Sequence, residues 1–224
     1  METVEYAPGR YADVYGDPGR PAVLMWHGAQ VDARASMGPL AERVAQDAAV
    51  MVPDWNSRAS DHGRTDLLRS LEFVRAQWTS PIVLVGWSLG GAAAAGATIH
   101  AAKLEVELAH TVCLAGAFMV ADSVSGQVLP TDLAEFGEGS PFTLLHGVHD
   151  EVIPAEASRE FAAMLQRNGW PVEFAELPTD HAAIAGAAYD EASDRYVPAR
   201  DPEALVIADT VARRITNIVQ SVDG

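Results

Sequence analysis

Six short apolar runs recur along the chain at fairly even spacing: "AVLMWHG" (22–28), "AVMVPDW" (49–55), "PIVLVGW" (81–87), "HTVCLAGAF" (110–118), "FTLLHGV" (142–148) and "VEFAEL" (172–177). Most are continuous rather than alternating, the pattern of strands covered on both faces. Amphipathic or alanine-rich segments between them predict helices over 37–48, 64–78, 88–103, 155–168 and 202–220. Ser36 is the expected N-cap of the first, Pro154 falls near the first turn of the fourth and Gly169 ends it, and Asp201 precedes Pro202 at the last. "RYADVYG" (10–16) offers a further short strand, or equally an ordered arm. Strands alternating with helices predict the α/β class: a mostly parallel central sheet with helices on both faces, formed as one domain over 1–224. There is no internal repeat, and the segment between 118 and 142 is too short for a separate cap domain.

Residues 76–102 carry no charge, and length alone would qualify them as a membrane span. Pro81, the glycines 86, 90, 91 and 96, and the polar Thr79, Ser80, Ser88, Thr98 and His100 interrupt the run. A strand, turn and helix account for the same letters, so no membrane association is expected.

The formal net charge of −16 argues against a sequence-independent grip on phosphate backbones or anionic lipids, which needs clustered Lys and Arg; nucleic acid is excluded as an expected partner. The opening "METVEYAPGRYADVYGDPG" has neither a basic n-region nor an apolar h-region, so a cytoplasmic address is expected. Cys113 is the only cysteine; it admits no intrachain disulfide and is expected in the core. The oligomeric state is left open.

The most informative stretch is "LVGWSLGGAA" (84–93), where a serine fenced by glycines stands between a strand and a helix. A serine hydroxyl is a poor nucleophile until a base takes its proton, and the base reaches it only if the backbone lifts the side chain above the sheet. A tight strand-to-helix turn does so, and it requires small residues two before and two after the serine, here Gly86 and Gly90. Gly91 and Ala92–Ala95 then let the helix lie close on the sheet. In acyl transfer the carbonyl oxygen becomes an oxyanion, needing two fixed donors about 3 Å away. The N–H of Leu89, at the helix start, and that of Ala29, after His27-Gly28, are the expected pair. A base and its orienting acid should emerge near Ser88 from other strand ends. "LLHGVHDEVIP" puts Asp150 just past one strand, and "ELPTDHAAI" puts His181 just past the next.

With these residues in hand, the chain resembles the α/β-hydrolase superfamily from about residue 20 to 220. The order Ser88, Asp150, His181 matches that family's triad order, "HGVHDEVIP" resembles its acid loop, and "SDHGRTD" after "VPDW" resembles the loop before the helix that precedes its nucleophile strand. The strand at 49–55 and "GWPVEFAELPTDH" are similar to lidless serine esterases of the dienelactone-hydrolase and feruloyl-esterase-like group. Dienelactone hydrolases carry a cysteine nucleophile where this chain has Ser88, so their lactone substrate is not carried over. The oxyanion loop is His-Gly-Ala rather than the HGGG of many esterases.

Other residues compete for these roles. His27 belongs to the oxyanion loop and is expected to be structural, His100 and His110 flank a helix and a strand far from the reactive edge, and His62 lies in a loop. His146, His149 and Asp150 look like a metal cluster, but a strand end lacks the same-face geometry of a helical H-E-x-x-H, so no metal is expected. Asp180 adjoins His181 and would have to fold back on it, and Glu151 stands one residue beyond the expected acid. Trp26, Trp55, Trp87 and Phe118 near carboxyl strand ends are candidate pocket walls. Tyr189 and Tyr196 join them from the long 182–200 connection, a candidate flap. The expected function is hydrolysis of a small carboxylic ester or thioester through an acyl-serine, with a small-molecule substrate and no cofactor. Amide hydrolysis, acyl transfer or perhydrolysis on the same residues, and a non-catalytic ligand-binding role, stand as alternatives.

Overall fold

The computed structural model describes residues 1–78 and 81–223; Thr79 and Ser80, counted above among the polar interruptions, lie outside them. In chain order the strands and helices are β1 (Glu2–Ala7), β2 (Arg10–Tyr15), β3 (Ala22–Trp26), α1 (Gly38–Val44), β4 (Ala49–Pro53), α2 (Arg64–Gln77), β5 (Ile82–Trp87), α3 (Leu89–Ile99), α4 (Ala101–Leu104), β6 (Leu108–Leu114), β7 (Phe142–Gly147), α5 (Ala155–Arg167), β8 (Val172–Leu177), β9 (Ala187–Asp190), β10 (Arg195–Pro198) and α6 (Pro202–Asp223). Eight strands form one sheet in the order β1-β2-β4-β3-β5-β6-β7-β8, and β9 and β10 form a separate hairpin. From β4 to β8 every pairing is parallel; β1 and β2 add an antiparallel edge.

Alternate residues of the central strands face two apolar layers. Val23, Met25, Val83, Val85, Val112 and Leu145 pack against α1 and α6 through Leu40, Val44, Val211 and Ile215. On the other face Leu24, Trp26, Met51 and Leu84 meet Leu67, Leu71 and Val74 of α2 and the alanines of α3. Phe142, Leu144 and Cys113 meet Phe161 and Leu165 of α5. Two covered faces are why these strands read as continuous apolar runs. Cys113 is buried as expected. No helix among the described residues is long and apolar enough to cross a membrane.

Four local departures have physical causes. β1 was not anticipated, because an antiparallel edge strand buries only its last residues and its Glu2, Thr3 and Glu5 face solvent. It is tied down by β2 and by Tyr6, whose hydroxyl donates to the Asp54 carbonyl at 2.6 Å. Ser36 does not cap α1: it sits in a 3-10 turn (Arg34–Met37), and its hydroxyl donates to the Ala33 carbonyl at 2.7 Å. The helix expected over 88–103 breaks at His100 and resumes as α4. β6 ends at Leu114 rather than 118, because Ala115 turns to φ 46° and carries the chain across the start of α3. At the opposite ends of helices the cap signals hold: Gly169 follows α5 at φ 73°, and Asp201 Oδ1 accepts from Ala204 N–H at 2.9 Å.

Candidate active site

β5 delivers Ser88 into a turn with φ 56° and ψ −119°, conformational strain uncommon outside glycine. The close approach the sequence demanded is visible in what side chains would meet: a Cβ on Gly86 would lie 2.1 Å from the Gly90 carbonyl oxygen, and one on Gly90 would lie 2.3 Å from the carbonyl oxygens of Trp26 and His27. The turn is therefore wedged between its own helix and the end of β3. Backbone bonds lock it: Ser88 N–H donates to Leu114 C=O at 2.9 Å, and Ser88 C=O accepts from Gly91, Ala92 and Ala117. The Ala117 bond explains the early exit of β6, which passes over the serine.

The loop after β3 lies against this turn, since a Cβ on Gly28 would sit 3.2 Å from Ser88 Cβ. Fully buried His27 holds the loop. Its Nδ1–H donates to Gly28 C=O at 2.9 Å, and Nε2 accepts the N–H groups of Ala33 and Trp55, both at 3.3 Å. Burial pushes its pKa down to about 4, so the imidazole is neutral, as two accepted N–H bonds at Nε2 require. The N–H groups of Ala29 and Leu89 donate to no acceptor among the described residues. They are two unspent donors on the loop and helix start that flank Ser88.

β7 ends in a turn, with Asp150 N–H on Gly147 C=O at 3.2 Å, that buries the Asp150 carboxylate completely. Its Oδ1 accepts Val152 and Ile153 N–H, both at 2.8 Å, and its Oδ2 accepts His181 Nδ1–H at 2.7 Å. Burial raises the pKa of this carboxyl. Hydrogen bonds from His146, His181 and Ile153 N–H outweigh that and hold it well below the usual carboxylate range. His181 follows β8, and its carbonyl oxygen accepts the Trp87 indole N–H at 2.8 Å. The Trp87 ring lies 5.4 Å from the imidazole, centroid to centroid. Ser88 and His181 thus flank the same indole, one by covalent bond and one by hydrogen bond. Ser88 Oγ donates no hydrogen bond to the imidazole in this state; with Nδ1 committed to Asp150, Nε2 is the nitrogen left to face it.

Asp180, His146 and His110, three of the rival acids and bases, have other partners. Asp180 Oδ1 accepts Ala182 and Ala183 N–H, so it shapes the loop that carries His181. His146 is buried with Nδ1 against Ser158 Oγ at 2.7 Å and Nε2 against Ile153 C=O at 2.9 Å, and Nε2 also lies 3.3 Å from Asp150 Oδ2. Its contact with the acid, and Ser158 behind it, were not anticipated; the only signal is a histidine four residues before the aspartate. His110 Nε2 pairs with Thr143 Oγ1 at 2.9 Å on the sheet interior. Among the described residues no group of three His, Cys, Asp or Glu side chains is arranged to hold a metal.

The candidate pocket residues divide. Trp26 and Trp55 have no accessible surface and cannot wall an open pocket: Trp26 Nε1 donates to Ser70 Oγ at 3.0 Å within the core, and Trp55 stacks on His27. Both support the turn from beneath. Trp87 is likewise buried and braces His181. Phe118 is half-buried, stacks on Phe161 at 4.1 Å, and lines a groove of about 710 Å³ with Met119, Leu129 and Pro154. Tyr189 and Tyr196 line a cleft of about 830 Å³ that includes His181. They stand on the β9–β10 hairpin, directly paired, with Tyr196 edge-on to Trp87 at 4.9 Å.

The alpha/beta hydrolase family model matches residues 23–220. The chain belongs to the alpha/beta hydrolase family. Solved structures agree in fold. An apo form of esterase 2 from Thermogutta terrifontis matches with TM-score 0.68 and 18% identity, covering 96% of this chain and 94% of the other. MGS-M1, an alpha/beta hydrolase enzyme from a Medee basin deep-sea metagenome library, matches with TM-score 0.70 and 16% identity, over 98% and 97%. EstE5, solved after soaking with p-nitrophenyl butyrate, matches with TM-score 0.70 and 16% identity, over 98% and 84%. No curated protein matches the chain in sequence. As a member of this family the chain shares its mostly parallel sheet; between β6 and β7 the described residues hold a 3-10 turn (Ala134–Phe136) and one bridge pair, Ala121 with Val128.

Proposed function

We propose that this alpha/beta hydrolase cleaves small carboxylic esters, or thioesters, through an acyl-serine, with residues 1–224 acting as one domain. The observation that carries the reading is the 2.7 Å bond from His181 Nδ1–H to buried Asp150, beside a strained turn that raises Ser88. Esterases among the structural relatives support it: esterase 2 of Thermogutta terrifontis is described with propionate bound and as phosphonylated by sarin.

In the proposed reaction His181 Nε2 takes the Ser88 proton as Oγ attacks the substrate carbonyl. The oxyanion is held by Ala29 and Leu89 N–H, which have no acceptor among the described residues. Asp150, kept ionised by its hydrogen bonds, fixes the Nδ1–H tautomer and stabilises the imidazolium. His181 then returns the proton to the leaving alcohol, and water repeats the sequence on the acyl-enzyme, releasing the carboxylic acid. Ser88 Oγ and the imidazole make no hydrogen bond in the free enzyme, and bonds of this kind often tighten only in the complex with substrate. The cleft lined by His181, Tyr189 and Tyr196 gives a substrate room beside the base.

The test is hydrolysis of p-nitrophenyl acetate and butyrate, with a fluorophosphonate probe mapped by mass spectrometry. Label on Ser88, slowed by excess ester present during labelling, supports the reading. Turnover with label elsewhere, or no turnover with any ester tried, removes it.

A further inference from the structure

At the other end of α3 lies a cavity of about 300 Å³, walled by the first turn of α2, by α4 and by the 119–141 loop. Ser88 caps the start of α3 and His100 its end, so at 1.5 Å per residue the two lie roughly 18 Å apart. The chain has 31 acidic residues against 15 basic ones, and Arg10, Arg34, Arg43, Arg159 and Arg214 are each tied to carboxylates. Against that background the lining is unusual. Arg64, His100 and Lys103 contribute to it, no carboxylate does, and neither Arg64 nor Lys103 has an ion-pair partner among the described residues.

The cavity is held in shape. Arg64 Nε donates to the Val124 carbonyl at 2.8 Å, fixing one edge of the guanidinium to the wall. Of the four acids on that loop, Asp122 is buried and turned inward, where it accepts Val124 and Ser125 N–H at 2.8 Å, and Asp132, Glu135 and Glu138 do not line the cavity. Phe136 meets the His100 ring edge-on at 5.1 Å. Leu104, Phe136 and Val128 give the cavity an apolar side, and Val128 is 66% exposed.

We infer that this cavity binds a small monocarboxylate with an apolar body. Arg64 and Lys103, both exposed at the rim and free of carboxylate partners among the described residues, make the mouth positive in an otherwise acidic chain, and a guanidinium presents the flat double donor that suits a carboxylate. The apolar side calls for a tail or ring, which inorganic phosphate lacks. The volume is at the lower end for small-molecule sites, too small for a nucleotide or a peptide. This site is separate from Ser88 and does not depend on the function proposed for it.

Lys103 is the only lysine, so reductive methylation with ¹³C-formaldehyde labels one side chain besides the N-terminus while keeping its charge. Titration of the full chain with hexanoate is expected to shift that signal saturably, and hexan-1-ol is expected to leave it unmoved. By calorimetry, hexanoate should bind at least tenfold more weakly to the Arg64→Gln/Lys103→Gln double variant. Val128→Asp, which puts a carboxylate at the mouth without touching the bases, should abolish binding, and it serves should the double variant fold poorly. Unchanged hexanoate affinity in these variants, or inorganic phosphate binding as tightly as hexanoate, would overturn the inference.

Discussion

Trp87 donates its indole N–H to the His181 carbonyl at 2.8 Å across 94 positions of sequence, while its own backbone leads directly into Ser88. One buried side chain therefore sets the height of the serine turn relative to the loop carrying the imidazole. Trp87→Phe keeps an aromatic ring at the site but deletes the donor together with the five-membered ring, leaving a small cavity in the core. A buried hydrogen bond contributes about 1 kcal/mol net, so kcat/KM on p-nitrophenyl butyrate should fall about fivefold through looser placement of His181, while the cavity lowers the thermal unfolding midpoint by several degrees. A variant with parental kcat/KM would show that the bond does not position the base.

The proton on Ser88 has one proposed acceptor, and the serine oxygen has no substitute nearby. Ser88→Ala should lower kcat by around a millionfold, the scale seen when such a nucleophile is removed elsewhere, while circular dichroism and the unfolding midpoint are retained, since alanine keeps the Cβ and the backbone of the turn. Parental activity in this variant would refute the assignment.

Asp150 combines two tasks. Its Oδ2 orients His181, and its Oδ1 accepts two backbone N–H groups that shape the turn after β7. Asp150→Asn keeps the outline but offers an N–H where His181 needs an acceptor, favouring the wrong tautomer. A fall in kcat on the order of 10⁴ is expected, by analogy with the same change in a serine protease triad. The KM should move far less, which separates this effect from loss of the fold.

Gly90 faces the carbonyl oxygens of Trp26 and His27, and a methyl group there would sit at 2.3 Å from both. Because those atoms are backbone, neither can swing away. Gly90→Ala should destabilise by about 3 kcal/mol or more, read as a drop in denaturant midpoint. Gly126→Ala is the contrast: its φ is 74° but nothing lies within 4 Å of the added carbon, so only the left-handed backbone penalty of about 1 kcal/mol is expected.

What could be seen in the sequence follows from which forces act locally. The strands from β3 to β7 were legible because burial on both faces writes continuous apolar runs, and the serine turn was legible because close packing at Gly86 and Gly90 admits no other residue. The bond between Asp150 and His181 follows from both standing in the loops that leave neighbouring parallel strands, β7 and β8, an address legible in the apolar runs before them. The hairpin of β9 and β10 was not: Ala187–Asp190 and Arg195–Pro198 are short and held by each other and by Tyr196 on Trp87, a contact without local pattern. Trp26 and Trp55 were placed at the pocket because position along a strand was read without depth. Their bulk is spent under the turn, where an indole N–H finds Ser70 or the His27 carbonyl. The comparisons reach the same superfamily without singling out the narrower dienelactone-hydrolase-like group.

His27 and His110 make stability depend on pH in a window that is not that of the carboxylates. Burial lowers the pKa of each to about 4 in the folded chain, against 6.5 when unfolded. Between those values the unfolded chain binds protons that the folded chain refuses. Stability is therefore full above about pH 6.5, falls as the pH drops toward 4, and levels off below it as far as these groups are concerned. For His27, fully buried, the linked loss is on the order of 3 kcal/mol; half-buried His110 contributes less. Asp150, held below its ordinary range, adds its own loss only under about pH 3.8, as falling pH neutralises it. His110→Gln keeps a polar atom for Thr143 and removes one titrating ring, so its denaturant-derived stability should fall less between pH 6.5 and 4 than the parent's. Parallel curves for parent and variant across that interval would show that His110 does not titrate with folding.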